Sequence, residues 1–130
     1  MSKVREVFDR EDVSEIYKAM ADIIRILCLT YGKLWLSEIV SEVNAFRRTI
    51  GEKGDLDFNK ALKAIEELEK MGIITSERRV RSSLIHGAGV PDILVDLSNR
   101  SEVFSIVVSD EKYMKYIKIR EEAFKEFRTT

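Results

Sequence analysis

The apolar pattern of this sequence changes its period at Gly72. Before this glycine, in "FNKALKAIEELEKMG", apolar residues recur every three or four positions, as they do in a helix with one buried face. After it, "IITSERRVRSSLI" and "PDILVDLS" are rich in β-branched residues, and "HGAGV" between them contains glycines. These features are typical of an antiparallel hairpin with a glycine-containing loop. We therefore predict a mainly α fold with a small β-hairpin, of the α+β class.

Two more helices are predicted before this helix, with a short strand between them. The first begins near Asp12 or Ser14, and its buried stripe comprises Ile16, Met20, Ile23, Ile24, Leu27 and Cys28. "LWL" is too short for a helix and predicts one small strand. The second helix follows its predicted N-cap, Ser37, and its buried residues are Ile39, Val40, Val43 and Phe46. The third begins at Asp55 or Asp57, and Gly72 is its predicted C-terminal cap.

The segment after the predicted hairpin permits two interpretations. "EVFSIVV" has the composition of a strand, but the spacing of its apolar residues also continues a helical face. We favour a helix from about Ser101 to Phe127, with Ser109 and Asp110 as the place at which a break would fall. The expected organisation is a domain over residues 12–100, followed by a C-terminal helical segment over residues 101–130.

Size and composition restrict the class of protein. The chain has 130 residues, 45% of them apolar, which suits a single core, and one cysteine, Cys28, which excludes an internal disulfide. No apolar run reaches the roughly 20 residues that span a bilayer, and the start has no signal-peptide pattern. We therefore expect a cytoplasmic protein with no membrane partner. Glutamine is absent while Lys and Glu are abundant, so a thermophilic, archaeal source is our hypothesis.

Several stretches resemble the winged helix-turn-helix superfamily, in the order that its members have. "MADIIRILCLTYGKLWLSEIVSEV" is similar to the first helix, strand and second helix of archaeal and bacterial regulators of the MarR, ArsR and PadR types. "ALKAIEELEKMGIIT" resembles their recognition helix and the entry to the wing. "ILVDLSNRSEVF" resembles the returning strand and the helix after it. The resemblance covers roughly residues 14–104, and the last quarter of the chain resembles a C-terminal dimerisation helix.

The resemblance implies a winged helix-turn-helix fold with a long C-terminal helix. It also implies a homodimer that binds double-stranded DNA and regulates transcription, with a recognition helix over residues 57–71 and a basic wing over residues 75–97. One feature departs from the family, because about ten residues connect Phe46 to Asp57, whereas a helix-turn-helix usually needs three or four. Either the second helix extends through "RRTI", or the loop is an insertion that can itself contact a partner.

The predicted recognition helix presents polar residues away from its buried stripe. Asn59, Lys60 and Lys63 are chemically suited to base edges and phosphates. The alternative is a solvated surface whose lysines pair with Glu66 and Glu67. Glu67 would also repel phosphate, which counts against a DNA contact.

The predicted wing carries three arginines. Because side chains on a strand alternate between faces, Arg79 and Arg81 share one face and Arg78 lies on the other. Two guanidinium groups on one face form a fork for phosphates. Arg47 and Arg48 can extend this basic patch through the long loop. The alternative is an edge strand that uses charge to avoid aggregation.

The predicted C-terminal helix has an apolar stripe, which an isolated helix would leave exposed to water. Its residues are Tyr113, Met114, Ile117 and Phe124. The stripe either folds back on the first helix of the same chain or pairs with a second copy. We favour the homodimer, since a regulator of this type binds a two-fold symmetric site.

The nearly equal numbers of basic and acidic side chains are compatible with a second function. With 22 basic and 23 acidic side chains the chain has no global field that attracts DNA. This balance favours the alternative that the winged helix is a protein-protein interaction module of a transcription, replication or trafficking complex.

His86 has no second histidine, cysteine pair or carboxylate cluster near it in sequence, and we interpret it as a turn residue. We predict no metal site, no cofactor and no enzymatic activity.

Overall fold

The computed structural model describes residues 2–82 and 89–129, the side chains of residues 128 and 129 excepted. Helices predominate, and three strands form one antiparallel sheet, so the predicted mainly α class with a small β component is confirmed. In chain order the elements are α1 (Lys3–Asp9), α2 (Glu15–Leu29), β1 (Lys33–Trp35), α3 (Leu36–Thr49), α4 (Phe58–Lys70), β2 (Ile74–Arg81), β3 (Val90–Leu97), α5 (Arg100–Val107) and α6 (Glu111–Thr129).

The helix starts follow the capping residues, with one exception. The Ser14 hydroxyl accepts from the Ile16 amide at 3.2 Å, and the Asp57 carboxylate accepts from the Lys60 amide at 2.8 Å, so both are N-caps as predicted. The prediction for Ser37 is wrong. Helix α3 already begins at Leu36 without a side-chain cap, and the Ser37 hydroxyl donates to Asp92 of β3 instead.

Of the two interpretations of the connection between α3 and α4, the structure supports the longer helix, because α3 continues through "RRT" to Thr49. The remaining segment is held by side chains of α3. Asn44 accepts a hydrogen bond from the Leu56 amide at 2.7 Å and donates one to the Leu56 carbonyl at 3.0 Å. Arg47 donates to the Gly54 carbonyl at 3.3 Å. The long connection is therefore anchored, and it fixes where α4 begins.

The end of α4 and the entry to the sheet depend on a glycine. Met71 caps the helix, and Gly72 follows with a φ of 75°, a conformation that costs a residue with a side chain about 1–2 kcal/mol. The predicted role of Gly72 is confirmed. Strands β2 and β3 then pair as the predicted hairpin, with Arg78 opposite Ile93 and Arg79 opposite Asp92.

The sheet has the order β1-β3-β2, so β2 is an edge strand. Strand β1 covers β3 only along Leu94, Val95 and Asp96. Pro91 therefore lies beyond the paired part of β1, where its missing amide donor is not needed by a second neighbour. The register therefore explains why the strand tolerates a proline at this end.

The hydrophobic core forms around α2, which is the helix with the longest run of buried residues. Its buried apolar residues pack with those of α3, α4 and the sheet, and the fully buried ones include Met20, Ile23, Ile24, Ile26, Leu27, Leu36, Ile39, Phe46, Ile65, Leu68 and Ile74. Cys28 is buried, as expected of a small apolar residue. Helix α1 was not predicted from the sequence, and its Val4 and Val7 also belong to this core.

The C-terminal segment consists of two helices, and the favoured helical interpretation over a strand is confirmed. The break falls at the predicted place, because the Asp110 carboxylate accepts from the Tyr113 amide at 2.8 Å and starts α6. Val103 and Val107 of α5 are buried in the common core. No helix in the described ranges is both long and apolar enough to cross a membrane.

Candidate nucleic-acid interface

Helix α4 is amphipathic, and one of its faces is available to a partner. Ala61, Ala64, Ile65 and Leu68 are buried, while Asn59, Lys60 and Lys63 are exposed, as the sequence predicted. Asn59 and Lys63 lie four residues apart and therefore on one face of the helix. This face carries an amide and an ammonium group, which suit base edges and phosphates.

Lys60 and Lys63, the two lysines in the first turns of α4, differ in their ionic partners. The Lys60 ammonium lies 3.3 Å from a carboxylate oxygen of Glu15, at the start of α2, and both side chains are well exposed. Lys63 forms no ion pair within the part of the chain that the structure describes. The uncompensated positive charge on this face of α4 therefore lies at Lys63.

The arginine fork of the hairpin is present but neutralised. Arg79 and Arg81 share one face, as predicted, yet each lies against a carboxylate. The Nε of Arg79 is 3.2 Å from Glu77, and the Nε of Arg81 is 2.8 Å from Asp92. Asp92 reaches the fork because it lies directly opposite Arg79 in the sheet, a register that the sequence does not reveal. A free pair of guanidinium groups is therefore not available here.

Asp92 is held in its ionised form by several donors. Burial by itself would raise the pKa of Asp92, but hydrogen bonds from the Ser37 hydroxyl, the Ile93 amide and Arg81 outweigh burial and lower it. The negative charge opposite the fork thus persists at neutral pH. The same contacts join the start of α3 to the hairpin.

Arg78 lies on the other face of β2 and is exposed. It has no carboxylate partner among residues 2–82 and 89–129. Together with Phe58, Pro91 and Ile93 it lines a groove of about 290 Å³ between the start of α4 and the hairpin. Arg78, rather than the predicted fork, is therefore the uncompensated arginine of the hairpin.

The basic patch was predicted to extend through Arg47 and Arg48. The structure buries Arg47 and leaves Arg48 exposed. Arg47 is only 6% exposed, and its Nε donates to Asp22 at 2.8 Å. It is unavailable to a phosphate, which corrects the prediction. The apolar periodicity of α3 turns this position inward, where Asp22 compensates its charge. Arg48 is exposed at the end of α3 and remains a predicted contact.

A buried ionic network, which the sequence analysis missed, lies behind this surface. Arg25 is fully buried in α2 and contacts three carboxylates. Its guanidinium nitrogens lie 2.6 Å from Glu11, 2.8 Å from Asp22 and 2.7 Å from Asp110. Asp22 also pairs with Arg47. The network joins the segment before α2 to α2, α3 and the start of α6.

The outer part of the network reaches the connection between α3 and α4. Lys112 lies 3.1 Å from Glu11 and 2.7 Å from Glu52, and Lys18 lies 2.6 Å from Glu52. Burial opposes ionisation of Glu52, but hydrogen bonds from Lys112 and Lys18 outweigh it and lower its pKa to about 2. The same balance between burial and cationic partners lowers the pKa values of Glu11 and Asp110.

The predicted dimerisation residues of α6 divide into two groups. Tyr113 and Ile117 are half-buried against the core of their own chain, whereas Met114 and Phe124 are 48% and 61% exposed. Between them Tyr116 packs on Phe46 of α3, with ring centroids 4.9 Å apart. The first half of α6 thus folds back on its own chain, and the second half presents apolar surface.

The described residues include possible metal ligands and one thiol, that of Cys28. Within these ranges, no group of three His, Cys, Asp or Glu side chains is arranged to hold a metal ion. Burial raises the pKa of the Cys28 thiol to about 12, so it is not a thiolate nucleophile at neutral pH. The interpretation of His86 as a turn residue lies outside the described residues.

Comparison with known proteins adds no assignment. No protein-family model matches the sequence, and no significant match is found among curated proteins.

Proposed function

We propose that this chain is a winged helix-turn-helix protein that binds double-stranded DNA as a dimer and regulates transcription. The order α2, β1, α3, α4 and the β2–β3 hairpin agrees with that superfamily. The observation that carries the proposal is the position of two exposed cations that have no carboxylate partner within the described ranges. Lys63 and Arg78 lie on the two elements that a winged helix applies to DNA, the recognition helix and the wing.

In the proposed mechanism α4 is the recognition helix. Its first turns enter the major groove, where the Asn59 amide can bond an adenine edge and Lys63 contacts a phosphate. Arg78 contacts the backbone beside the groove, which adds affinity without sequence information. The protein needs no cofactor and regulates by occupying its site.

The exposed apolar residues of α6 support the proposed homodimer. Met114, Phe124 and Phe127 leave 48%, 61% and 80% of their surfaces exposed along one helix. Pairing of two copies would remove this apolar area from water. It would also set the distance between two recognition helices, which is about 34 Å for successive turns of one DNA groove.

We expect Phe124→Glu to convert a dimer into a monomer, because it places a charge in the proposed apolar interface. Light scattering coupled to size exclusion measures the mass of each species. Lys118→Glu is the control, since it introduces the same residue at an exposed polar position of the same helix. A wild-type chain that is monomeric at high concentration would remove the dimer from the proposal.

The DNA proposal is tested by a fluorescence titration with a random duplex at several salt concentrations. The double variant Lys63→Ala, Arg78→Ala is expected to bind more weakly and to reduce the salt slope by about two, one for each lost phosphate contact. Lys3→Ala, Arg10→Ala removes the same net charge from α1 and the segment after it, and should leave the slope unchanged. Equal slopes for both double variants would contradict the assignment of α4 and the hairpin to DNA.

A second candidate function is a protein-protein interaction module. The carboxylates that face Lys60, Arg79 and Arg81 favour it, because they reduce the positive potential of the same surface. The titration distinguishes the two functions. An interaction module has no salt-dependent affinity for a random duplex, whereas a regulator has it before any specific site is known.

A further inference from the structure

Phe58 is an unusual residue for the start of α4. It is the first residue of the helix, and 51% of its side chain is exposed, while the next apolar positions of the helix face the core. Its ring lines the groove that Arg78 also lines, between the start of α4 and the hairpin. Asn59, the neighbouring residue, is exposed as well. An apolar ring, an amide and an uncompensated guanidinium group thus lie at one end of the helix.

We propose that Phe58 recognises thymine through its 5-methyl group, with Asn59 bonding a neighbouring adenine and Arg78 held on the flanking phosphate. The inference rests on the proposed DNA-binding function and adds its sequence preference. In the major groove only thymine presents a methyl group, and phenylalanine is one of the side chains that contact it. Adenine presents the donor and acceptor that an asparagine amide bonds with two hydrogen bonds.

The charges around the groove are compatible with this occupant. Asp92, a carboxylate that lines the groove, pairs with Arg81 and accepts a hydrogen bond from the Ser37 hydroxyl. Arg78 has no such compensation within the described ranges, so the groove combines apolar surface with a net positive rim. A thymine methyl group would contact the apolar surface of the groove, and the neighbouring phosphate would contact its positive rim.

The test compares two duplexes that differ only in methyl groups. One is an alternating dA-dT duplex, and the other has uracil in place of every thymine. We expect the wild-type chain to bind the thymine duplex more tightly, by about fourfold for each methyl group buried. Phe58→Ala should bind both duplexes equally. Arg78→Ala should lose affinity for both and keep the ratio between them.

Controls separate a contact from other effects of the methyl group. Tyr31→Ala removes an exposed aromatic ring that lies outside the proposed DNA and dimer surfaces, and it should keep the thymine preference. Thermal unfolding establishes that each variant is folded, and Phe58→Asn serves as a second variant that also lacks the apolar ring. A thymine preference that persists in folded Phe58 variants would arise from the DNA and would overturn the inference.

The outcomes distinguish this inference from the proposed function. Salt-dependent binding of wild type to both duplexes with equal affinity overturns the role of Phe58 and leaves the DNA-binding proposal standing. Absence of salt-dependent binding to either duplex overturns the DNA-binding proposal itself, and the role of Phe58 with it.

Discussion

Replacing Arg25 with alanine is expected to destabilise the folded chain by about 3–5 kcal/mol. The Arg25 side chain is fully buried and contacts Glu11, Asp22 and Asp110. Its removal would leave these carboxylates in a region of low polarity with fewer cationic partners. The cost is therefore the penalty of uncompensated buried charge, which exceeds the net value of the ion pairs themselves.

Urea unfolding followed by circular dichroism measures this loss. Arg10→Ala is a matched control, because Arg10 pairs with Glu6 on the surface, where an ion pair contributes about 0–1 kcal/mol. Arg25→Lys retains the charge but not the geometry, since an ammonium group cannot replace a guanidinium group across three carboxylates. A loss below about 1 kcal/mol for Arg25→Ala would show that the carboxylates find other partners or water.

The network also links the C-terminal helix to the proposed recognition helix. Lys112, at the start of α6, and Lys18 of α2 both pair with Glu52, in the connection that precedes α4. Arg47 pairs with Asp22 and donates to the Gly54 carbonyl in the same connection. The position of α4 relative to α6 is thus fixed by charged contacts as well as by the core. This gives the unusually long connection a structural role.

Much of the fold could be predicted from local patterns. The period of the apolar residues located α2, α3 and α4, and Gly72 marked the change to the hairpin. Helix α1 was missed because its seven residues bury only Val4 and Val7, too few to show a period. Ser37 was misassigned because its alternative partner, Asp92, lies far away in sequence.

The candidate site could be predicted only in part, for a related reason. Exposure follows from periodicity, so Asn59, Lys60 and Lys63 were placed correctly on the surface. Whether a charged side chain has an ionic partner depends on residues that are distant from it in sequence. No local pattern reveals such partners. The carboxylate opposite Arg79 and the burial of Arg47 are both of this kind.

One signal of the buried network was present in the sequence. Arg25 interrupts the apolar run "IIRILCL", and Asp22 precedes it by three residues, which places both on one face of the helix. A charged pair within a buried stripe indicates further partners, since a buried ion must be compensated. Glu11 and Asp110, which complete the set, could be located only by the tertiary structure.

The same network predicts that the chain loses stability in acid. The pKa values of Glu11, Glu52 and Asp110 are lowered in the folded state, that of Glu52 from 4.5 to about 2. A carboxylate with a lowered pKa stabilises the fold above its unfolded pKa, and this contribution is lost as the pH falls through its folded pKa. We therefore expect the melting temperature to fall by roughly 10 °C between pH 5 and pH 2.5.

Calorimetry across this pH range, with matched glutamine variants, assigns the loss to the network. Glu52→Gln should lower the melting temperature at neutral pH and reduce its further decrease in acid, because an amide does not titrate. Glu15→Gln replaces a carboxylate that is 83% exposed, and should follow the wild-type curve. If Glu52→Gln and wild type lost equal stability between pH 5 and pH 2.5, protonation of other carboxylates would have to account for the acid sensitivity. Glu52 would then contribute no pH dependence, and the link from α6 to the segment before α4 would depend on packing and on contacts that do not titrate in acid, such as the hydrogen bond from Lys115 to the Ile50 carbonyl.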